Sequence, residues 1–337
     1  MQISENYSLK AFNTFGLDVN TRFFCEFSSE EELFELLKSP LLRNNQHLMI
    51  GRGSNLLFLS DFGGVVLHSD MRGILVKEQN DSQVLLEVQS GVIWDDLVAY
   101  SVEQGWQGIE NLSLIPGETG AAAVQNIGAY GMELKDVVRS VRAVNTATAE
   151  VRLFTNKACV YAYRQSVFKS HLRGNYVITS VEIELNVKPS FNLSYQHLES
   201  EVLKRGKINL QNIRKTVIEI RESKLPDPKI LGNAGSFFMN PVVDNRFFNQ
   251  LKLQFPAIPY FTLSTDEIKI PAGWLIEHCG WKGKTVGNAG VHDTQALVLV
   301  NRGGATGAEI ASLAQMIQQD VKLKTGVDLI PEVNIIG

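Results

Sequence analysis

Cysteine is scarce and poorly spaced for bridging. The three present, Cys25, Cys159 and Cys279, are odd in number and form no Cys-x-x-Cys pair. A disulfide framework is thereby disfavoured and a reducing compartment fits best. No apolar run approaches the roughly 18 residues needed to span a bilayer. The start, MQISENYSLKAFNTFG, lacks a charged segment followed by an apolar one, so nothing reads as a leader. A cytoplasmic protein is expected, and the sequons at Asn111 and Asn192 read as chance. There is also no block of Lys or Arg; 32 basic residues face 36 acidic ones, a net charge of −4. That argues against a broad electrostatic grip on nucleic acid or an acidic membrane. It leaves room for a local pocket that takes a small anion.

Several motifs are absent too. Gly51-Arg52-Gly53 is not a Gly-x-Gly-x-x-Gly fingerprint, because Leu56 occupies the third glycine's place. Gly283-Lys284-Thr285 resembles the end of a phosphate-binding loop, but His278 stands where the upstream glycine belongs. His278-Cys279 and His292-Asp293 are isolated pairs without metal-ligand spacing, and no metal is expected. Neither Gly-x-Ser-x-Gly nor His-Glu-x-x-His occurs, which removes the common hydrolase readings.

What is present is an ordinary globular composition over 337 residues, 44% hydrophobic and 20% charged, enough for two or three domains. HLMI, GRGSN and LLFL read as strand, tight loop, strand, followed by strands GGVVLHS and QVLLEVQSG. Ile93–Gly105 is an amphipathic helix ending at glycine, and a glycine-rich passage with almost no charge runs to Gly131. Strands SVRAVNT, AEVRLF and YVITSVEIELN follow. Past Asn192 helices take over in YQHLESEVLKRG and NLQNIRKTVIEIRESK, with LPDPK as a hinge and a domain boundary expected in 190–225. Helices at Asn245–Leu253, Ala272–Cys279 and Thr306–Thr325 alternate with strands GSFFMNPVV and QALVLVN.

Two loops carry the chemical signal. IGRGSNLLF spans Ile50–Phe58, and SLIPGETGAAAVQNIGAYG spans Ser113–Gly131. Small residues let a backbone approach a ligand, and successive N–H groups form a nest for an anion. A short helix over Ala121–Ile127 would add its N-terminal dipole. Tight helix-on-sheet packing explains glycine and alanine equally well for either loop alone. The two together, without other nucleotide motifs, favour a pyrophosphate-bearing cofactor.

GRGSNLL, IPGETGAAAVQNIGAYG, YRQSVFK, GNAGSFFMNP, PAGWLIEHCGWKG and IPEV, in this order from Asn13 to Glu332, resemble the UDP-N-acetylenolpyruvoylglucosamine reductase family. GRGSN alone is shared with oxidases of the vanillyl-alcohol-oxidase type; QNIGAYG joined to NAGSFF is specific. Within GETGAAA the departures from the family pattern are read as small side chains. The resemblance implies an NADPH-dependent flavoenzyme of peptidoglycan precursor synthesis. It would reduce the enolpyruvyl ether of a UDP-sugar to a lactyl ether, with FAD bound non-covalently. Cofactor contacts are expected from Gly51, Arg52, Gly53, Ser54 and Asn55 in the first loop. In the second they fall on Ile115, Pro116, Gly117, Thr119, Gly120, Ala121, Gln125, Asn126, Gly128, Ala129 and Tyr130.

An enol ether resists hydride, so its carboxylate has to be made to withdraw charge and a proton has to reach the neighbouring carbon. The resemblance implies Arg164 and Glu332 as the polarising pair and Ser236 as proton donor. On residue type alone, Arg164 would be a surface ion pair, Glu332 a solvated strand end and Ser236 a turn cap. Tyr195, Lys224, Asn240 and Gln295 are implied as contacts to the UDP-sugar, Tyr195 marking the family type with an inserted tyrosine loop. The fold implied is α+β: a two-part flavin-binding fold of the vanillyl-alcohol-oxidase/PCMH type and a C-terminal α+β substrate-binding domain. Its boundaries are expected at 1–70, 71–218 and 219–325, with strand 326–337 rejoining the first part. A monomer is expected, with no nucleic-acid or membrane partner. The competing readings are another flavin oxidase of this fold and a non-catalytic nucleotide-sugar-binding protein.

Overall fold

The computed structural model describes every residue except Gln196. Among these residues the chain forms two compact units. One holds Met1–Tyr7, Thr21–Arg52 and Gly63–Ser223; the other holds Ser8–Asn20, Gly53–Phe62 and Lys224–Gly337. No helix among the described residues is long and apolar enough to cross a membrane.

The first unit is built on an antiparallel sheet in the order Val151–Thr155, Val138–Asn145, Tyr176–Asn186, Gln83–Gln89, Ile74–Gln79. Gln83–Gln89 shows why: its residues alternate toward and away from the core, the period of a strand covered on one face. Val84, Leu86 and Val88 thereby meet Val141, Val181 and Ile183, beneath Trp94 and Leu97 of the helix Trp94–Gln104 and Ala122 and Ala123 of the helix Thr119–Gln125. Each large side chain so buried contributes about 1.5–3 kcal/mol. The edge strand Ile74–Gln79 is absent from the sequence reading. It is exposed along most of its length, Leu75 and Val76 included, and its Lys77 pairs with Glu182 at 2.6 Å, so no alternation of buried residues betrays it. Lys77 and Glu78 put charge on one half of this edge, beside the exposed Leu75 and Val76.

A second sheet of this unit runs Gln2–Ser8, Asn20–Phe27, Phe62–Ser69, His47–Ile50. The last two strands are parallel, and Ile50 pairs with His68. Phe27, Leu33, Leu36 and Leu67 pack beside it, joining it to the helix Glu30–Lys38, whose N-cap Ser29 accepts from the Glu32 amide.

In the other unit the antiparallel order is Asn233–Ser236, Val298–Asn301, Ala289–Val291, Thr285–Val286. The helix Gly307–Thr325 packs on it, opened by a capping box in which Thr306 and Glu309 satisfy each other's amides. A parallel pair joins Asn334–Ile336 to Leu56–Phe58. The stretch GSFFMNPVV, expected as one strand, is two: Asn233–Ser236 and Val242–Asp244. Phe237 and Phe238 are both buried, which breaks the alternation, and Pro241 brings no amide to a ladder.

The close fit of the Gly307–Thr325 helix against Leu56–Phe58 supplies a stability test. Alanine at position 307 gains about 1 kcal/mol in helix propensity. Its Cβ, however, would stand 1.7 Å from the Phe58 carbonyl oxygen. Gly307→Ala is therefore expected to lose about 1–3 kcal/mol net, read as a lower urea midpoint at unchanged slope. Equal or greater stability would show that this seam yields.

Candidate active site

The Ile50–Arg52 end of the first loop meets the second loop within the first unit, while Gly53–Phe58 belongs to the other. A Cβ on Gly51 would lie 3.1 Å from Glu118 Oε2 and 3.4 Å from Ala121 Cβ, so the loops are in contact at bare backbone. The second loop is anchored at both ends. At its start the Leu114 amide donates to Asp95 Oδ1, which Arg214 holds in a two-pronged ion pair at 2.6 and 2.9 Å. Burial would raise the Asp95 pKa, but Arg214 and the Leu114 amide outweigh it and hold the carboxyl below its usual range. Arg221 Nε donates to the Leu114 carbonyl from the same side. This fixes the approach to Ile115 and Pro116; the Gly117 carbonyl then accepts from the Trp94 amide.

The short helix begins at Thr119, two residues before the expected Ala121, and ends at Gln125. Its first two amides are used within the protein: Thr119 N–H donates to Val92 O and Gly120 N–H to Ser90 O. These two donors are thus spent on anchoring the helix to the sheet, which is the packing role weighed for this sequence. At the far end Asn126 is fully buried in a left-handed conformation. Its amide donates to Glu133 Oε2 and the Ala162 carbonyl, and its oxygen accepts from the Lys135 amide.

Beyond it the hairpin Gly128–Ala129 and Met132–Glu133 receives Arg164, whose Nη2 donates to the Gly128 carbonyl at 2.8 Å. The guanidinium carbon also lies 5.5 Å from the Tyr163 ring centre. Arg164 itself sits at φ 56 and Tyr130 at φ 48, a strained pair of the kind that clusters at functional sites. The Tyr130 and Tyr195 rings meet edge to face at 5.7 Å. Burial pushes both phenols above their usual pKa. Arg164, Gly128, Tyr130 and Tyr195 are thus brought into one neighbourhood.

The remaining predicted residues lie in the other unit. Ser236 ends its strand at half burial, opposite Val298. Two residues lie between Asn233 and Ser236 while one lies between their partners Val300 and Val298, so the strand bulges. Gly235 is the bulge residue, at φ 66 with open space where a Cβ would go. The bare backbone beside Ser236 is therefore demanded by conformation, not by crowding. Glu332 is stitched in from two sides: its amide donates to the Phe237 carbonyl, next to Ser236, and its carbonyl accepts from Asn55 Nδ2 of the first loop. In that loop Gly53 is buried at φ 66, its Cβ position blocked by the Phe12 carbonyl at 1.8 Å. Ser54 follows at half burial. Asn240 Oδ1 accepts from the Ala272 amide and so caps the helix Ala272–His278, while Gln295 Oε1 lies near Gly273 in the same turn. Lys224 is exposed at the unit's edge.

Reading the second loop as small residues needs one correction. Glu118 is neither small nor exposed; its carboxylate is 3% exposed and accepts from Arg52 Nε at 3.0 Å and meets His68 Nε2 at 3.2 Å. His68 Nδ1 lies 2.8 Å from Glu26. The signal was a histidine inside the apolar strand GGVVLHS, a group that has to find partners when buried.

The residues fit a diphosphate-bearing flavin. Two bare loops meet at Gly51, with the Arg52 cation in the first of them. Thr14, whose amide donates to the Gly53 carbonyl, has a buried hydroxyl without a protein partner. Such a group calls for a polar guest.

Comparison with known proteins agrees. A family model for the C-terminal domain of UDP-N-acetylenolpyruvoylglucosamine reductase matches residues 227–336, and an FAD binding domain model matches residues 21–154. The reductase of Porphyromonas gingivalis is 47% identical over 338 residues, covering 100% of both chains. That of Bacteroides fragilis is 46% identical over 334 residues, covering 99% of this chain and 100% of its own. Among solved structures, the reductase of Thermus caldophilus aligns at TM-score 0.70 and 20% identity over 100% of this chain and 98% of its own. A solvent-stable cholesterol oxidase aligns at TM-score 0.51 and 11% identity, over 98% and 86%. The α+β fold expected from the sequence, a two-part flavin-binding architecture with an added C-terminal domain, is the fold of this chain.

The buried Asn126 network generates a prediction. Asn126→Ala removes three hydrogen bonds and leaves alanine in a left-handed backbone. It is expected to lower stability by about 2–4 kcal/mol, measured by denaturant unfolding. A loss below about 0.5 kcal/mol would mean the network does not hold this loop.

Proposed function

The chain belongs to the UDP-N-acetylenolpyruvoylglucosamine reductase family, and we propose from that membership how its own residues carry the reaction. The enzyme reduces the enolpyruvyl ether of a UDP-sugar in peptidoglycan precursor synthesis, with FAD and NADPH as cofactors. Bound FAD supplies the two-electron link between NADPH and the alkene.

The residues have to solve the electronic problem of an electron-rich double bond. Arg164 presents a planar cation to the substrate carboxylate and draws charge toward it. Glu332 completes the polarising pair at the same developing charge. As the terminal carbon gains a hydride equivalent, the π electrons move to the neighbouring carbon and its carboxylate. The Ser236 O–H bond then breaks as that neighbouring carbon takes the proton, and solvent restores the hydroxyl. A hydroxyl is a weak acid, but an enolate carbon is basic enough to accept from it. It also leaves no standing negative charge beside the substrate.

Tyr195, Lys224, Asn240 and Gln295 are assigned to the UDP-sugar, with Lys224 as a point charge on the diphosphate. The same proposal covers the cofactor contacts of the two loops and the division into flavin-binding parts 1–70 and 71–218, substrate part 219–325 and returning strand 326–337. It covers a cytoplasmic monomer as well; the three buried, unbridged cysteines suit a reducing compartment.

One observation supports the catalytic roles above the others. The main chain of Glu332 is hydrogen-bonded on one side to the residue after Ser236 and on the other to Asn55 of the first loop. A solvated strand end has no use for such fixation. Ser236→Ala is expected to slow reduction of the enolpyruvyl sugar by about a thousandfold, while NADPH still bleaches the flavin absorbance at its wild-type rate. Stopped-flow measurement of the two half-reactions decides it, since an equal loss in both removes the proton-donor role.

A further inference from the structure

The least expected charge group in the first unit is the row Glu26, His68, Glu118 and Arg52, in which His68 and Glu118 are buried while Glu26 and Arg52 reach toward solvent. His68 is 2% exposed, on the strand Phe62–Ser69, and its main chain pairs with Ile50, immediately before the first loop. Both ring nitrogens face a carboxylate: Nδ1 meets Glu26 Oε2 at 2.8 Å, and Nε2 meets Glu118 Oε1 at 3.2 Å. A neutral imidazole has one N–H, so its other nitrogen would confront an oxygen lone pair to lone pair. Only the imidazolium satisfies both contacts. The Phe24 ring stacks near it, centroids 6.1 Å apart, and adds no charge. Glu26 from the neighbouring strand and Glu118 from the N-cap of the helix Thr119–Gln125 are charged groups that face His68. Arg52 stands behind Glu118.

Glu118 is a difficult neighbour for an anionic ligand. Its carboxylate lies where the two loops meet, next to Gly51. With His68 charged, the row Glu26⁻, His68⁺, Glu118⁻, Arg52⁺ is neutral. Once His68 loses its proton the row carries one net negative charge, at the loops assigned to a diphosphate. At the buried His68–Glu118 pair that difference is less screened than at the solvent-facing ends of the row.

We infer that His68 is a positioning residue: a buried imidazolium that neutralises and orients Glu118, and through Glu118 orients Arg52, so that flavin retention depends on pH. The inference rests on the flavin-binding reading of these loops and adds to it a switch residue. Burial by itself would push the His68 pKa down. Hydrogen bonding and attraction from Glu118, then from Glu26, reverse this, and the net shift is upward. The sign follows. Stabilisation from the ion row is complete below the ordinary histidine value of about 6.5 and disappears as pH rises through the higher folded-state value.

The test uses holoprotein. Flavin release after dilution is followed by the rise in flavin fluorescence from about pH 6 to about pH 9, for wild type, His68→Gln and Glu118→Gln. Wild-type release is expected to accelerate about tenfold across that range. His68→Gln keeps an uncharged donor toward Glu118 and should lose the pH dependence. Glu118→Gln removes the carboxylate that His68 neutralises, so loss of the His68 proton no longer uncovers a net negative charge and the dependence should shrink. Nitrogen-15 spectra of wild-type histidines provide a readout independent of any variant's folding, and should show both His68 nitrogens protonated at neutral pH. A neutral His68 there, or one pH profile shared by wild type and His68→Gln, overturns the inference. Wild-type protein that takes up no flavin at all is a different result, and defeats the cofactor reading beneath it.

Discussion

A carboxylate buried as an anion needs partners that offset its lost hydration, and Glu118 places that demand at the centre of the first unit. Arg52 and His68 answer it. In doing so they tie together the end of one strand, the first glycine loop and the start of the Thr119–Gln125 helix. Removing one partner of such a group costs about 3–5 kcal/mol, because the remaining charge is stranded. The loops that look so unconstrained in composition are thus held by a few polar side chains. Asp95 with Arg214 does the same at Leu114, and Asn126 at the helix end.

Much of this architecture can be read in the amino-acid sequence wherever one local rule decides. The strand Tyr176–Asn186 and the helix Trp94–Gln104 follow directly from periodicity and a terminal glycine. What escaped reading depends on partners distant in the chain. Ile74–Gln79 has no buried face to announce it, and GSFFMNPVV looks like one strand until the doubly buried Phe237-Phe238 and the amide-free Pro241 divide it. Asn240 was singled out for a ligand, yet its side chain also caps a helix 32 residues further along. No nearest-neighbour pattern encodes that contact.

The site divides in a similar way. Its glycines, Ser236 and Arg164 stand in motifs that are visible as strings. Glu118 stands inside such a string, but its meaning comes from His68, 50 positions earlier. A single buried histidine in an apolar strand was the available clue. Arg214 and Arg221 lay in plain sight on a helix, where positive residues usually signify a wetted face. Here they reach back to Asp95 and Leu114.

The anchoring of Glu332 bears on how the protein comes to be folded. Its carbonyl is gripped by a residue 277 positions away, and loop-closure entropy resists contacts of that span. The helix Gly307–Thr325 and the local hairpins can form early, but this carboxylate reaches its station only after the most distant parts of the chain have found each other. A refolding protein should therefore regain its circular dichroism well before its catalytic competence.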